Sequence, residues 1–167
     1  MGHLLYKKAF SQVKNSDDSL KIERFVPKVG SLFLKGEKKD LRTALARLNF
    51  VLISGARAEI YYVTDSDFGV IHTSYVIPYC AKFSFMQKND YEIGPCKTDD
   101  NFRGRGIYPA VLKYITSLEE YRHSIFYMIV SQNNTPSIRG IEKAGFERCG
   151  RVMKNRLSKQ YRLIKEV

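Results

Sequence analysis

The run Asn101-Phe102-Arg103-Gly104-Arg105-Gly106-Ile107 places two glycines and two arginines where a strand hands over to a helix. Upstream, Tyr91-Glu92-Ile93-Gly94 has extended character; downstream, Ile107, Val111, Leu112, Ile115 and Leu118 recur at helical spacing. A strand–loop–helix junction of this kind belongs to α/β architecture, and it suits a phosphate ligand. A helix start leaves about four backbone N–H groups without partners and carries a partial positive charge, while glycines remove the Cβ atoms that would hold a pyrophosphate at a distance.

The spacing excludes two common nucleotide loops. A P-loop needs a Lys-Ser/Thr pair after its second glycine, where this chain has Ile107-Tyr108. A dinucleotide fingerprint would put its third glycine at Pro109, which cannot allow the same close packing of helix on strand. What remains is Arg103, Gly104 and Gly106 with Asn101 in the leading slot. Downstream, Asn134-Thr135-Pro136-Ser137-Ile138-Arg139-Gly140-Ile141-Glu142-Lys143-Ala144-Gly145-Phe146 reads as a second helix. Thr135 is its expected cap, Pro136 its first residue, Ile138, Ile141 and Ala144 its apolar stripe, and Gly145 its left-handed stop. Between the two motifs, Ser124 to Val130 is almost uniformly apolar, as in a strand buried on both faces. The two motifs in this order resemble the acyl-coenzyme A signature, Gln/Arg-x-x-Gly-x-Gly/Ala, and the following helix of the GNAT acetyltransferase superfamily. Asn101 departs from that signature, being shorter and uncharged.

At 167 residues, with 44% hydrophobic content, the chain suits one α/β domain spanning 1–167. No stretch approaches the roughly 20 apolar residues that span a bilayer, and Met1 to Lys8 lacks the apolar core of a signal peptide, so a cytoplasmic protein without a membrane partner is expected. Cys80, Cys96 and Cys149 have no Cys-x-x-Cys spacing, which points to reduced thiols and to no metal site. The net charge of +11 attracts anionic partners. Coenzyme A would use a few of the cations and an anionic second substrate more of them, while dispersed lysines also serve solubility. The densest basic stretch is Arg148, Arg151, Lys154, Arg156, Lys159 and Arg162, around an expected terminal hairpin. It has no aromatic stacking platform or zinc-finger spacing, which argues against nucleic acid.

Short polar breaks at Asn15 to Ser19 and Asp65 to Asp67 are the only punctuation. Asp40 to Leu48 has a helical cap and stripe, Glu59 to Val63 and Gly69 to Ile77 form an expected hairpin, and Tyr91 to Thr98 a further strand. Later strands are expected near Phe146 to Met153 and Gln160 to Ile164. Within the first fifty residues only Lys21 to Val26 suggests a strand. The fold class is α/β: a GNAT-like mixed central β-sheet flanked by helices, with splayed parallel strands at its centre.

Gly94-Pro95 interrupts an otherwise acceptable strand, and proline lacks the N–H of a central ladder, so it marks an edge or a bulge. The resemblance implies that this strand splays from its parallel neighbour to admit pantetheine. Cys96, Lys97 and Thr98 would then offer main-chain groups to the pantetheine arm. The N–H groups of Arg103, Gly104, Arg105, Gly106 and Ile107 would hold the pyrophosphate, and Asn134 would touch the coenzyme arm. Pro109 fits the first helical turn, which sets the helix start near Arg105 or Gly106. As base, Glu92 is the first candidate, read as sharing a strand face with Gly94 and Cys96; a solvated carboxylate is the alternative. His72, facing the same way as Ser74, is the second, against a hydrogen-bonded structural histidine. The slot where many family members carry an acidic tyrosine holds Ile141, leaving Tyr108, Tyr127, Ser131, water or an unassisted thiolate. Cys96 could carry an acyl group, but with no histidine nearby in sequence a small buried thiol is preferred.

The resemblance thus implies acetyl-CoA as co-substrate, no metal, and direct transfer to a primary amine. Gly106-Ile107-Tyr108-Pro109 and Ile93-Gly94-Pro95-Cys96 are similar to acetyltransferases found with bacterial surface-polysaccharide genes, which suggests an amine on a nucleotide-linked sugar. An amine of a protein or small metabolite, and a non-catalytic module binding coenzyme A or a polyanion, stand as rivals. Oligomeric state is left open, a homodimer included.

Overall fold

The computed structural model describes residues 3–12, 20–35, 37, 40–54, 57–80, 83–155 and 160–166. The polar break Asn15 to Ser19, and Arg156 and Lys159 of the basic stretch, lie outside them. The elements run β1 (His3–Ala9), β2 (Ile22–Phe25), α1 (Leu41–Ser54), β3 (Glu59–Asp65), β4 (Gly69–Pro78), β5 (Tyr91–Thr98), α2 (Ile107–Ser117), β6 (Ile125–Ser131), α3 (Thr135–Lys143), β7 (Glu147–Lys154) and β8 (Tyr161–Glu166). They build one eight-stranded sheet in the order β2-β3-β4-β5-β6-β1-β7-β8. Among the described residues the one parallel pair of neighbouring strands, β5 with β6, is central, and the other neighbouring strands pair antiparallel. This is the mixed sheet expected from the sequence. No helix among the described residues is long and apolar enough to cross a membrane.

Helices cover both faces. Val111, Leu112 and Ile115 of α2 and Ile141 of α3 join Phe126, Met128 and Val130 of β6, Ile93 of β5 and Leu4 and Tyr6 of β1 in one buried cluster. On the other face Leu34, Ile60 and Tyr62 form a second cluster, against which Tyr75 packs. Helix α1 meets this face through Phe50, whose ring lies tilted 4.9 Å from that of Tyr75, and through the buried Arg47, whose Nε donates to the Tyr75 hydroxyl. Asp40 caps α1 by accepting from the Thr43 N–H and hydroxyl at 2.9 and 2.6 Å. The helix runs to Ser54, well past the Leu48 read from the sequence.

Strand β1 was not anticipated. It lies between β6 and β7 and pairs with both along its length, so Leu4, Leu5 and Tyr6 are all buried. Its two lysines disguise it. Lys8 threads its stem to the end of α3, where Nζ donates to the Ala144 carbonyl at 2.8 Å and to Thr116 Oγ1 at 3.0 Å, a use of lysine that polarity alone does not reveal.

Strands β5 and β6 pair only at Tyr91 with Phe126 and Glu92 with Tyr127, then separate into a fork. Beyond it β5 bonds to β4 alone, with a bulge: Val76 faces Ile93 while Ser74 faces Cys96. Gly94 and Pro95, joined by a cis peptide, supply the extra residue, and the missing N–H of Pro95 falls where the ladder to β6 has already ended. Both alternatives for this proline, edge and bulge, are met, since Pro95 lies in the bulge and on the side of β5 that has left β6.

Candidate active site

The mouth of the fork is the start of α2. Gly106 caps this helix at φ 79° with no side-chain hydrogen bond, one residue from the expected start. Gly104 has φ 77°, and a Cβ built on either glycine would meet nothing within 4 Å, so both turn an open face outward. Phe102 is buried and anchors the loop, with the Arg105 guanidinium 4.7 Å above its ring, while Asp99 accepts from the Asn101 N–H at 3.0 Å.

A groove of about 500 Å³ runs from this loop between α2 and α3 to the end of β5. Cys96, Lys97, Thr98, Arg103, Gly104, Gly106, Ile107 and Asn134 all line it. Arg105 does not, because its guanidinium lies on Phe102. Arg139 and Lys143 of α3 were not anticipated as site residues; they read only as the polar side of an amphipathic helix. With Lys97 and Arg103 they make a cationic lining that contains no carboxylate. Arg103 meets the exposed Asp100 at 2.7 Å, outside the lining. Open left-handed glycines, an uncapped helix start and this charge fit a ligand with several phosphates. Among the described residues, no group of three or more His, Cys, Asp or Glu could hold a metal ion.

The helix cap differs from the one expected. Asn134, not Thr135, caps α3, its side-chain oxygen accepting from the Ser137 N–H at 3.3 Å. Gly145, at φ 84°, ends the helix as read.

A partly buried polar chain borders the groove. His72 Nδ1 lies 2.7 Å from Thr98 Oγ1 and Nε2 lies 2.9 Å from Ser74 Oγ; Ser74 in turn donates to Cys96 Sγ at 3.2 Å. The Tyr108 side chain also lines the groove beside Cys96. Burial lowers His72 to a pKa of about 4 and pushes the Cys96 thiol up to about 12. Both are therefore neutral at physiological pH, and both nitrogens of His72 are occupied, which is the arrangement of a structural histidine. No histidine is near Cys96 in sequence, but His72 reaches it in the fold through Ser74.

Glu92 requires a second correction. The bulge shifts alternation by one, so Cys96 points with Ser74 and Ile93 towards α2 and α3, and Glu92 points with Tyr127 to the opposite face. Glu92 stands at the crotch of the fork, largely buried, with no side in common with Cys96. Of the tyrosines considered as acid, Tyr108 lines the groove and Tyr127 lines a separate cavity on the opposite face. Ile141 is buried in the main core.

A mixed sheet forked at its one parallel pair, with a glycine loop and helix start at the fork, is the fold of the GNAT acetyltransferases. The chain is similar to a GNAT-family acetyltransferase from Colwellia psychrerythraea, at 13% identity and a TM-score of 0.60 over 88% of this chain and 52% of that one. It is similar also to a GCN5-related N-acetyltransferase from Sphaerobacter thermophilus, at 13% and 0.58 over 90% of this chain and 49% of that one. A functionally unknown conserved protein from Staphylococcus epidermidis shares the fold at 11% and 0.59, over 90% and 58%. The chain thus spans roughly half the length of these structures. No family model matches the sequence, and no curated protein matches it. Identities this low show a common fold.

Proposed function

We propose that the protein is an acetyl-CoA-dependent N-acetyltransferase working by direct transfer to a primary amine. The observation that carries this reading is the carboxylate-free cationic groove, which joins two open glycines at an uncapped helix start to the unpaired side of β5. Acetyl-CoA would supply the activated acetyl group. Arg103 to Ile107 would hold its pyrophosphate through backbone N–H groups, with Arg139 and Lys143 adding charge. The backbone of Cys96, Lys97 and Thr98 would align the pantetheine arm, and Asn134 would touch it. Glu92 would accept the amine proton at the crotch of the fork. Tyr108 would give its hydroxyl hydrogen bond to the departing sulfur in place of Ile141. His72 acts here as a positioning residue, holding Ser74 and Thr98. The neutral thiol of Cys96 and neutral imidazole of His72 favour attack by the amine over an acyl-cysteine.

The acceptor class we favour is an amino group on a nucleotide-linked sugar. Support comes from the net charge of +11, more than coenzyme A uses, and from the Ile93 to Cys96 and Gly106 to Pro109 segments. Calorimetry with acetyl-CoA at about millimolar concentration tests the reading, and no binding there overturns it. Binding without transfer to any amine in a broad panel, nucleotide amino sugars included, would mark a non-catalytic module instead.

A further inference from the structure

The strand register draws one row of side chains across the sheet. Glu92 of β5 pairs with Tyr127 of β6, Tyr127 with Lys7 of β1, and Lys7 with Glu147 of β7. Register partners share a face, so all four point away from α2 and α3. Lys7 stands two strand intervals, about 10 Å, from Glu92.

Three members of this row, Lys7, Tyr127 and Glu147, line a cavity of about 340 Å³ together with Arg148 and Phe85. Glu92 is not in the lining; it lies one strand past Tyr127, at the crotch of the fork. The aromatic wall of the cavity is anchored from behind. Phe83 is buried and stacks on Tyr161 at 5.8 Å, and Ser84 Oγ donates to the Tyr161 carbonyl at 3.1 Å. The next residue, Phe85, meets the Tyr127 ring edge-on at 5.3 Å. The charges, in contrast, are not consumed within the protein. Lys7 and Glu147 are opposite in register, yet neither they nor Arg148 enter an ion pair among the described residues. All three are exposed, within reach of a ligand. Two cations against one carboxylate leave the cavity positive, and the guanidinium fork of Arg148 suits a phosphate. A fixed aromatic wall beside unpaired cations fits an anionic ligand with a ring in its body.

We propose that this cavity holds the acceptor, with Lys7 and Arg148 binding a phosphate that the amine-bearing substrate carries. A sugar ring with its amine at Glu92 covers about one strand interval of ~4.8 Å, which sets a phosphate on its far side above Tyr127, within reach of the long Lys7 and Arg148 side chains. The acceptor then enters from the face opposite the coenzyme groove, and the two substrates use separate sets of cations. This inference rests on the acetyl-transfer reading, and it gives a place to the acceptor's negative charge.

The test is calorimetry on the full chain saturated with coenzyme A, titrated with UDP-glucosamine, a glucosamine monophosphate and glucosamine. It compares the wild type with Lys7→Gln, Arg148→Gln and the double variant. At least one phosphorylated amine should bind the wild type about tenfold more tightly than glucosamine, and the double variant should lose that advantage. Each single variant should lose part of it. Which phosphorylated amine binds more tightly separates a nucleotide diphosphate from a sugar monophosphate as the source of the anion. Acetyl-CoA affinity, set on the other face, should be unchanged in all three variants, which also shows that they fold. Equal affinity for the three amines, no binding of either phosphorylated amine, or an advantage that survives in the double variant would overturn the inference while coenzyme binding stands. Failure of the wild-type protein to bind acetyl-CoA would overturn the acetyl-transfer reading, and this inference with it.

Discussion

Gly140 leaves no room for a methyl group: a Cβ there would lie 2.5 Å from Cδ1 of Tyr108. Helix α3 thus packs directly on Tyr108, which lines the groove with Cys96. Gly140→Ala should push that ring out of place, weakening acetyl-CoA binding about tenfold by calorimetry and lowering stability by about 1–3 kcal/mol in denaturant titration. Gly106 is the contrasting case, with open space but φ 79°. Gly106→Ala therefore costs about 1–2 kcal/mol through backbone conformation. His72 sets a pH dependence. Its folded pKa of about 4 lies below the ordinary 6.5, so its contribution to stability is fully present above pH 6.5. As pH falls from there towards 4, the unfolded chain takes up a proton that the folded protein refuses, and about 3 kcal/mol is lost across that window. Unfolding free energies measured from pH 7 to 4 should fall more steeply for the wild type than for His72→Gln.

At the scale of elements, β1 fastens the two helices of the groove. The Tyr6 hydroxyl donates to Glu142 Oε1 at 2.8 Å, and Lys8 holds the last carbonyl of α3 as described. Lys8→Met removes the cation from that helix end, with an expected loss of about 1–2 kcal/mol in thermal unfolding. The elements from Glu59 onward were legible because each buries one periodic face: α2 and α3 by helical stripes, the β3–β4 hairpin by its Asp65 turn, β6 by its apolar run. Strand β1 was not legible because it sits between neighbours on both sides while Lys7 is exposed and Lys8 reaches past the core to distant acceptors. The role of Asn134 over Thr135 lay within the one-residue latitude of helix boundaries. The face of Glu92 was misread because alternation assumes an unbroken ladder, and Pro95 signalled a bulge without stating which residues it would turn over. Glu92→Gln should lower turnover at least about tenfold while leaving acetyl-CoA affinity unchanged, and equal turnover across pH would remove Glu92 as the base.

Over the whole molecule, the positive charge is spread along the chain, yet folding gathers Lys97, Arg103, Arg139 and Lys143 onto one groove. Replacing Arg103 and Arg139 together by alanine should weaken acetyl-CoA binding about tenfold at low ionic strength and less at high salt, since screening already removes part of their attraction. Acetyl-CoA at about 100 times its dissociation constant should stabilise the fold by about 2.7 kcal/mol, read as a rise in Tm that the double variant shows only at higher ligand concentration. The sequence by itself determined the α/β class, the order of elements after Glu59 and the glycine turn of Arg103 to Ile107 that opens a helix, because these depend on local periodicity and on backbone freedom at glycine. Only the tertiary structure decided that β1 enters the middle of the sheet, that Glu92 and Cys96 lie on opposite faces, and that His72 reaches Cys96 through Ser74. Each of these depends on register between segments distant along the chain, which pairing and packing set together and no local pattern records.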